Sequence, residues 1–352
     1  MRTMIECRNL GKSYGTVNAL SDVSLSLDEH EFVSILGPSG CGKSTLLRLI
    51  AGLEVPSKGQ VILHGQEISG RKIILPPERR RFGMIFQDFA LFPHLSVKDN
   101  VEYGASGSKK EKQKRVHDLL ELVNLPHLAT KMPHQISGGE QQRIALARAL
   151  APRPRLILMD EPFSNLDYQL RQHLRRDIKD ILKHEGIATV LVTHDQVEAI
   201  TFSDRMLLMK KGKVVQEGTS SEIYQKPQTI WASSFIGEAN HFTVEWENNS
   251  LHTPLGELNV HSKIGMNARV MMVRPEDFQL ELVSADQANG IVKSVNFSGS
   301  VQTVGVALKS GANVRVSGSP HLLWNQDDFV KITAERYLCF NSSENRLNGN
   351  LK

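Results

Sequence analysis

Phe32-Val33-Ser34-Ile35-Leu36 is followed directly by Gly37-Pro38-Ser39-Gly40-Cys41-Gly42-Lys43-Ser44-Thr45. The apolar run is typical of a short buried strand, and apolar residues then recur at helical spacing up to Leu53. The glycines let the loop curl so that successive N–H groups point at an oxyanion. Lys43 adds a positive charge for the terminal phosphates, and the Ser44 hydroxyl is placed to ligate Mg²⁺. Because the helix N-terminus adds its dipole to the same place, the sequence predicts a nucleoside triphosphate site here.

Composition narrows the class of protein. At 352 residues the chain is too long for one compact core, so two or three domains are expected, and its net charge of +4 is too small to indicate nucleic acid. The three cysteines lie far apart, which excludes a disulfide framework or a cysteine zinc site. No apolar run approaches the roughly 18 residues that span a bilayer. We therefore expect a soluble chain whose partners supply any membrane role.

Polar side chains follow two further apolar runs, Leu156–Met159 and Thr189–Thr193. Between these runs, apolar residues from Leu166 to Leu182 form one helical stripe. Strands that alternate with helices predict a parallel sheet with its site at the carboxyl ends of the strands. The first run ends on Asp160 and Glu161, and the second ends on His194.

These polar residues have distinct expected roles. Asp160 would hold Mg²⁺ through its water shell, and Glu161 would polarise an attacking water. The strand before His194 should neighbour the strand of the phosphate loop, which would bring His194 near the γ-phosphate. Gln87, after the predicted strand Met84–Phe86, could reach Mg²⁺ or the water through its amide oxygen.

A second glycine turn lies at residues 137–141, at the start of a predicted helix over 140–151. Ser137 is a good N-cap, and Gly138 and Gly139 would allow a phosphate to approach closely. Two phosphate-binding turns in one chain suggest that ATP lies between two copies, each contributing one turn, in a two-fold arrangement. The apolar segment 89–95 is open to two interpretations: local core, or an exposed patch that receives another protein.

Taken in order, these motifs resemble the nucleotide-binding cassette of ABC transporters over residues 4–237. The resemblance implies that the 137–141 turn closes over the γ-phosphate of the opposing protomer and that Asp167 lies in the loop linking the two sites. It also implies that Tyr14 stacks on adenine, and that the patch after Gln87 docks the membrane subunits. The sequence departs from the family pattern at Ile136, Glu140 and Asn165, where Leu, Gln and a frequent Ala are usual.

From about His241 the pattern changes to short alternating runs separated by Gly, Asn and Ser, which predicts an all-β domain of one or two small barrels. Residues 273–277, Val-Arg-Pro-Glu-Asp, resemble a motif of the accessory barrel on importer ATPases. Among these ATPases, the runs 78–83, 92–97, 161–167 and 235–238 most resemble ferric-iron importers. The polar tail 341–352 is expected to be disordered.

The resulting expectation is an α/β P-loop cassette over residues 1–239, with a helical subdomain at about 88–152. An OB-like all-β domain follows over residues 240–340. The protein would be the ATP-hydrolysing subunit of a bacterial Fe³⁺ importer, with ATP and Mg²⁺ as cofactors. It would work as a head-to-tail homodimer on the cytoplasmic face of the inner membrane, with two transmembrane permease subunits and, indirectly, a periplasmic solute-binding protein.

Site residues follow from the same interpretation. Glu161, His194 and Gln87 are the expected catalytic residues, and Ser44, Gln87 and Asp160 are expected to hold Mg²⁺. The residues expected to bind the nucleotide are Gly37, Pro38, Ser39, Gly40, Cys41, Gly42, Lys43, Ser44, Thr45, Tyr14, Ser137, Gly138, Gly139, Glu140 and Asp167.

Two alternatives stay open. The first keeps the transport role but changes the cargo to polyamine, sugar, sulfate or phosphonate. The second is a soluble ABC ATPase that acts on nucleic acid through its barrels. The second is disfavoured because aromatic residues make up only 6% of the chain, and no barrel strand interleaves clustered aromatics with Lys or Arg. We therefore expect no nucleic-acid partner.

Overall fold

A computed structural model describes residues 2–70, 73–164, 166–260 and 262–347. These residues divide into two compact units, residues 1–220 and residues 221–352. The predicted boundary between residues 239 and 240 stays a prediction. Within the described ranges, no helix is long and apolar enough to cross a membrane.

The first unit alternates strands with helices, as the sequence predicts. Its strands are β1 (Thr3–Tyr14), β2 (Val17–Asp28), β3 (Phe32–Leu36), β4 (Lys58–Leu63), β5 (Gln66–Ser69), β6 (Phe82–Ile85), β7 (Leu156–Asp160), β8 (Ala188–Thr193), β9 (Arg205–Lys210) and β10 (Lys213–Gly218). Its helices are α1 (Lys43–Ala51), α2 (Pro77–Arg80), α3 (Val97–Tyr103), α4 (Lys109–Leu122), α5 (Gly138–Leu150), α6 (Tyr168–His184) and α7 (Gln196–Phe202), with 3₁₀ turns at Pro126–Leu128 and Pro133–Gln135.

The core sheet of this unit has the order β10-β9-β3-β8-β7-β6. Strands β6, β7, β8, β3 and β9 are parallel to one another, and only β10 runs antiparallel to its neighbour. The register of β3 on β8 runs from Phe32 opposite Thr189 to Leu36 opposite Thr193. The prediction that the strand before His194 neighbours the strand of the phosphate loop is therefore confirmed.

A second sheet, in the order β2-β1-β4-β5, is antiparallel. Its buried side chains share one apolar core with those of α1 and one face of β3, so α1 packs between the two sheets. Arg80, only 2% exposed, fixes the far end of α1 by donating to the Leu49 and Ile50 carbonyls at 3.1 and 2.8 Å. Burial lowers the pKa of Arg80 to about 10, so the guanidinium keeps its charge at neutral pH, and the helix carbonyls stabilise that charge.

Helices α3, α4 and α5 fill the region where the sequence predicts a helical subdomain and share a core with α6. Leu166, which the sequence analysis places on the α6 stripe, is buried but lies outside the helix. The helix begins later because Asp167 caps it, accepting from the Leu170 amide at 3.0 Å. Strand β6 likewise ends at Ile85 rather than at Phe86.

Helix α8 (Ser220–Gln225) spans the division between the units, and the second unit is mainly β, as predicted. Its sheets have the orders β11-β15-β21, β12-β13-β14 and β16-β20-β17-β18-β19 around one apolar core. The elements are α9 (Ile230–Phe235), β11 (Asn240–Thr243), β12 (Glu245–Glu247), β13 (Ser250–Thr253), β14 (Gly256–Leu258), α10 (Ser262–Gly265), β15 (Val270–Val273), β16 (Phe278–Leu282), β17 (Gly290–Phe297), β18 (Gln302–Leu308), β19 (Asn313–Gly318), β20 (Phe329–Ala334) and β21 (Leu338–Phe340), with a 3₁₀ turn at Pro275–Asp277.

The first residues of the polar tail, which the sequence predicts to be disordered, form ordered backbone contacts. Asn345 forms a β-bridge with Thr229, and Arg346 forms one with Phe340. The Ile230 amide also donates to the Glu344 carbonyl at 3.1 Å. Polar composition predicted disorder from Asn341, but backbone pairing orders residues 341–347. Residues 348–352 lie outside the described residues.

Candidate nucleotide site

The loop between β3 and α1 has a backbone conformation and a helix start that suit an anion. Gly42, immediately before α1, has a φ of 104°, and a Cβ there would lie 2.5 Å from the Ala19 carbonyl oxygen. Only glycine fits this position. Among the described residues, no side chain caps the start of α1, so its first amides can receive an anion. Pro38, Ser39 and Gly40 are exposed at the rim, Gly37 and Cys41 are buried, and Thr45 is half-buried in α1.

Lys43 lies inside this turn and is only 4% exposed. Its Nζ donates to the carbonyls of Gly37 and Pro38 at 2.8 and 3.2 Å, and it lies 3.9 Å from Glu161 Oε1. The loop itself thus holds the ammonium at its centre, where the ammonium can exchange carbonyls for phosphate oxygens. A compact ammonium on a flexible stem suits that exchange.

Ser44 and Asp160 form the next contact, with Ser44 Oγ donating to Asp160 Oδ1 at 2.7 Å. Burial raises the pKa of Asp160, and the Ser44 hydrogen bond opposes that rise. A hydroxyl and a carboxylate side by side offer the hard oxygen ligands that Mg²⁺ takes, so this pair fits the ion. Gln87 is exposed beyond the end of β6, and its role as an Mg²⁺ ligand stays a prediction.

Glu161 and His194 meet across the carboxyl ends of β7 and β8. His194 Nδ1 lies 2.8 Å from Glu161 Oε2, and the Glu161 amide donates to the Val192 carbonyl at 2.9 Å. Glu161 has a φ of 47°, a conformation that non-glycine residues adopt where the surroundings determine it. The backbone of β8 therefore helps to set where the Glu161 carboxylate points.

The second glycine turn forms a reciprocal cap at the start of α5. Ser137 Oγ accepts from the Glu140 amide at 3.4 Å, and Glu140 Oε2 accepts from the Ser137 amide and hydroxyl at 2.7 and 2.8 Å. These hydrogen bonds lower the pKa of Glu140. Glu140 completes the capping box, a position that either Glu or Gln can fill, so this departure from the family pattern keeps the local structure.

The two glycines of this turn differ in what they require. Gly138 is exposed, and a Cβ on it would lie 3.4 Å from Leu166 Cδ2, an ordinary contact. Gly139 is buried, and a Cβ on it would lie 2.8 Å from Leu170 Cδ2 on α6. Packing against α6 therefore accounts for Gly139, and close approach of a phosphate is left as the reason for Gly138 alone.

Tyr14 and Asp167 each contact neighbouring parts of their own elements. Tyr14 is 45% exposed, and the Lys12 ammonium lies 4.9 Å from its ring centroid. Asp167 is exposed at the start of α6. An aromatic ring with this exposure can stack on a base, and both assigned roles stay predictions. Asn165, the third departure from the family pattern, lies outside the described residues.

Sequence reasoning missed a group of polar residues behind the Glu161–His194 pair. Arg171 on α6 contacts the Ser164 and Leu166 carbonyls and the Asp195 carboxylate, and Thr193 donates to Glu198 Oε2 at 2.6 Å. The apolar stripe of α6 indicates which face is buried but not which polar residue reaches a loop. Only the fold brings these side chains together.

The comparisons with known proteins agree with this geometry. The ABC transporter family model matches residues 20–164, and the TOBE domain model matches residues 271–340. The "Fe(3+) ions import ATP-binding protein FbpC 2" of Pectobacterium atrosepticum is 43% identical over 86% of this chain and 88% of its own length. The "Spermidine/putrescine import ATP-binding protein PotA" of Haemophilus ducreyi is 38% identical over 93% of this chain and 91% of its own.

A solved structure shows the same cassette. It is titled the dimeric structure of a post-hydrolysis state of the ATP-binding cassette MJ0796 bound to ADP and Pi. Its sequence is 36% identical to this chain, the TM-score is 0.55, and the match covers 61% of this chain and 98% of that one. The match therefore extends over almost the whole of that cassette.

The two glycines of the second turn can be tested separately. We expect Gly139→Ala to lower the free energy of unfolding by about 1–3 kcal/mol, because the new methyl overpacks against Leu170. Gly138→Ala should leave the melting temperature almost unchanged and lower the ATPase kcat if phosphate approaches there. Thermal melts and phosphate release of both variants would measure this, and equal destabilisation by the two would contradict the assignment.

Proposed function

The chain belongs to the ABC transporter family of ATP-binding subunits, and on this basis we propose that it binds ATP with Mg²⁺ and hydrolyses it to energise the import of Fe³⁺. The observation that carries the proposal is the meeting of Lys43, Ser44, Asp160, Glu161 and His194 at one sheet edge. Membership of the family indicates ATPase activity, and we propose that these residues carry out the hydrolysis.

Phosphoryl transfer to water depends mainly on positioning and electrostatics. Lys43 and the amides of α1 would hold the phosphates, while Ser44 and Asp160 would hold the metal ion. Bound Mg²⁺ would neutralise charge that develops on the phosphate oxygens. Glu161 orients the attacking water, and His194, 53% exposed and bonded to Glu161, keeps its other ring nitrogen available to the γ-phosphate.

The proposal includes a head-to-tail homodimer in which each ATP contacts two chains. Ser137 and Gly138 lie exposed at the capped start of α5, a helix N-terminus that can receive a phosphate. The relative MJ0796 is described as dimeric with ADP and Pi, which supports the same arrangement here. On this proposal Lys43 and Ser44 form half of a site, and the partner's Ser137 turn completes it.

The membrane partners would dock on the segment after Gln87. Phe89 is buried and its carbonyl accepts from Arg148 at 2.9 Å, so this part of segment 89–95 is local core. Pro93 and His94 are exposed, and the Phe92 ring lies 4.7 Å from that of Tyr103, which is 71% exposed. The half-buried Phe92 ring beside the exposed Tyr103 ring, on a segment anchored in the core, suits a protein partner. We propose two permease subunits there, fed by a periplasmic solute-binding protein, with this chain on the cytoplasmic face of the bacterial inner membrane.

The proposed cargo, Fe³⁺, is inferred from the names of relatives that match this chain over most of its length. Several FbpC relatives that match at 38–43% identity carry Fe(3+) import in their names, and one at 38% carries spermidine/putrescine import. Polyamine, sugar, sulfate or phosphonate uptake would use the same ATPase chemistry. A nucleic-acid role is the weaker alternative, since these relatives are all named as import proteins.

Removing the proposed base tests the catalytic assignment. Glu161→Gln should keep ATP binding and dimerise stably with ATP, while kcat falls by about 10²-fold or more, because an amide does not polarise the water. Phosphate release, nucleotide titration and size-exclusion chromatography would measure these effects. Glu121→Gln, at an exposed position on α4, is the matched control. Near wild-type turnover by Glu161→Gln would refute the assignment.

Isotope uptake tests the cargo. Cells that lack the gene should lose uptake of ⁵⁵Fe³⁺, and uptake of labelled spermidine should stay unchanged. The wild-type gene should restore iron uptake, and the Glu161→Gln gene should not. Loss of spermidine uptake with iron uptake intact would contradict Fe³⁺ as the cargo and favour the polyamine alternative. That result would not contradict the proposed ATPase activity.

A further inference from the structure

Arg171, in the first turn of α6, contacts two segments, the 161–167 turn and the 193–198 segment. Its Nη2 donates to the Leu166 carbonyl at 3.0 Å and to the Ser164 carbonyl at 3.4 Å. Its Nη1 donates to Asp195 Oδ2 at 3.4 Å. The side chain is only 24% exposed, so these contacts are sheltered from water.

These contacts complete a closed ring around the proposed catalytic pair. Ser164 Oγ donates to the Glu161 carbonyl at 2.9 Å, which links the Arg171 contact back to the backbone of Glu161. On the other side, Asp195 directly follows His194, whose Nδ1 lies 2.8 Å from Glu161 Oε2. Arg171 therefore joins the turn that carries Glu161 to the turn that carries His194, in addition to their direct hydrogen bond.

The Asp195 end of this ring is itself held in place. The Asp195 amide donates to Thr193 Oγ1 at 3.0 Å, and Asp195 Oδ1 accepts from the Glu198 amide at 3.0 Å. The Glu198 carboxylate is buried, and its Oε1 lies 4.0 Å from Arg171 Nε. Burial raises the pKa of Glu198, and the charge of Arg171 opposes this rise. Arg171 thus contacts a segment that its own hydrogen bonds hold in place.

Building on the proposed hydrolysis at Glu161, we infer that Arg171 is a positioning residue that sets the geometry of the Glu161–His194 pair. Its contacts in the ring are made to the 161–167 turn and the 193–198 segment rather than to the phosphate loop. Arginine suits this role because its planar fork donates in several directions at once, whereas a lysine ammonium is a single point charge. Lys43 and α1, on which ATP binding is proposed to depend, are not members of the ring.

The test compares Arg171→Lys and Arg171→Gln with Arg176→Gln, at an exposed position on the same helix. We expect kcat to fall by about 10- to 100-fold in both Arg171 variants, with ATP affinity and KM within about threefold, since small misplacement of a catalytic group has costs of this size. Arg176→Gln should match the wild type. Thermal melts identify variants that fold.

Two combinations separate positioning from a general structural effect. In a Glu161→Gln background, Arg171→Lys should leave the residual turnover almost unchanged, because Arg171 acts through Glu161. Ser164→Ala, which breaks the same ring, should lower kcat, and combined with Arg171→Gln it should cost less than the product of the two single effects. If an Arg171 variant does not fold, Asp195→Asn breaks the contact from the other side and should show the same fall in kcat.

Several outcomes would overturn the inference. These are a kcat within twofold of the wild type in the folded Arg171 variants, a parallel loss of ATP affinity, or an equal fall in the Glu161→Gln background. If wild-type protein hydrolyses ATP and Glu161→Gln retains only a small residual turnover, any of these outcomes defeats the role of Arg171 alone. If Glu161→Gln keeps its activity, the proposed catalytic assignment itself fails.

Discussion

The parallel pairing of β3, β8 and β7 is the constraint on which the site depends. Parallel strands end at the same edge, so the phosphate loop after Leu36, the Asp160–Glu161 pair and His194 are delivered to one place although they lie far apart in the chain. The direct contacts from Ser44 to Asp160 and from Glu161 to His194 follow from that register. A register shift between β3 and β8 would move the phosphate loop relative to His194, which follows β8.

Residues that carry both a local pattern and a chemical role could be predicted from the sequence. The glycine loop before Lys43, the buried strands and the capped turn at Ser137 are local signals, and the structure contains each of them. Residues whose role depends on packing between distant elements could not be predicted. Gly139 is needed because it packs against Leu170, and Arg171 contacts two loops. Neither role can be recognised from the spacing or the hydrophobicity of residues in the sequence. The prediction of a disordered tail was wrong for a related reason, because backbone pairing with Thr229 and Phe340 orders residues of polar composition.

Helix α6 connects the Ser137 turn to the turns that carry Glu161 and His194 within one chain. Its first turn packs on Gly139 of the Ser137 turn, is capped by Asp167 and carries Arg171, which holds the Glu161 and His194 turns. In the proposed dimer, the Ser137 turn meets the ATP of the partner while Glu161 serves the ATP of its own chain. A movement of α6 would therefore reach both sites, which gives a physical route by which the two hydrolysis events could be coupled.

The central claim is that the phosphate loop and the Ser137 turn act on one ATP only when they come from different chains. A Ser39→Cys/Ser137→Cys double variant in the Glu161→Gln background, treated with a short bis-maleimide that alkylates one thiol at each end, tests this directly. Native Cys7, Cys41 and Cys339 are buried, and burial raises the pKa of each thiol, so background labelling should be low. The account predicts a crosslinked dimer with ATP and little with ADP. A crosslink formed within single chains, with no dimer in the presence of ATP, would contradict it.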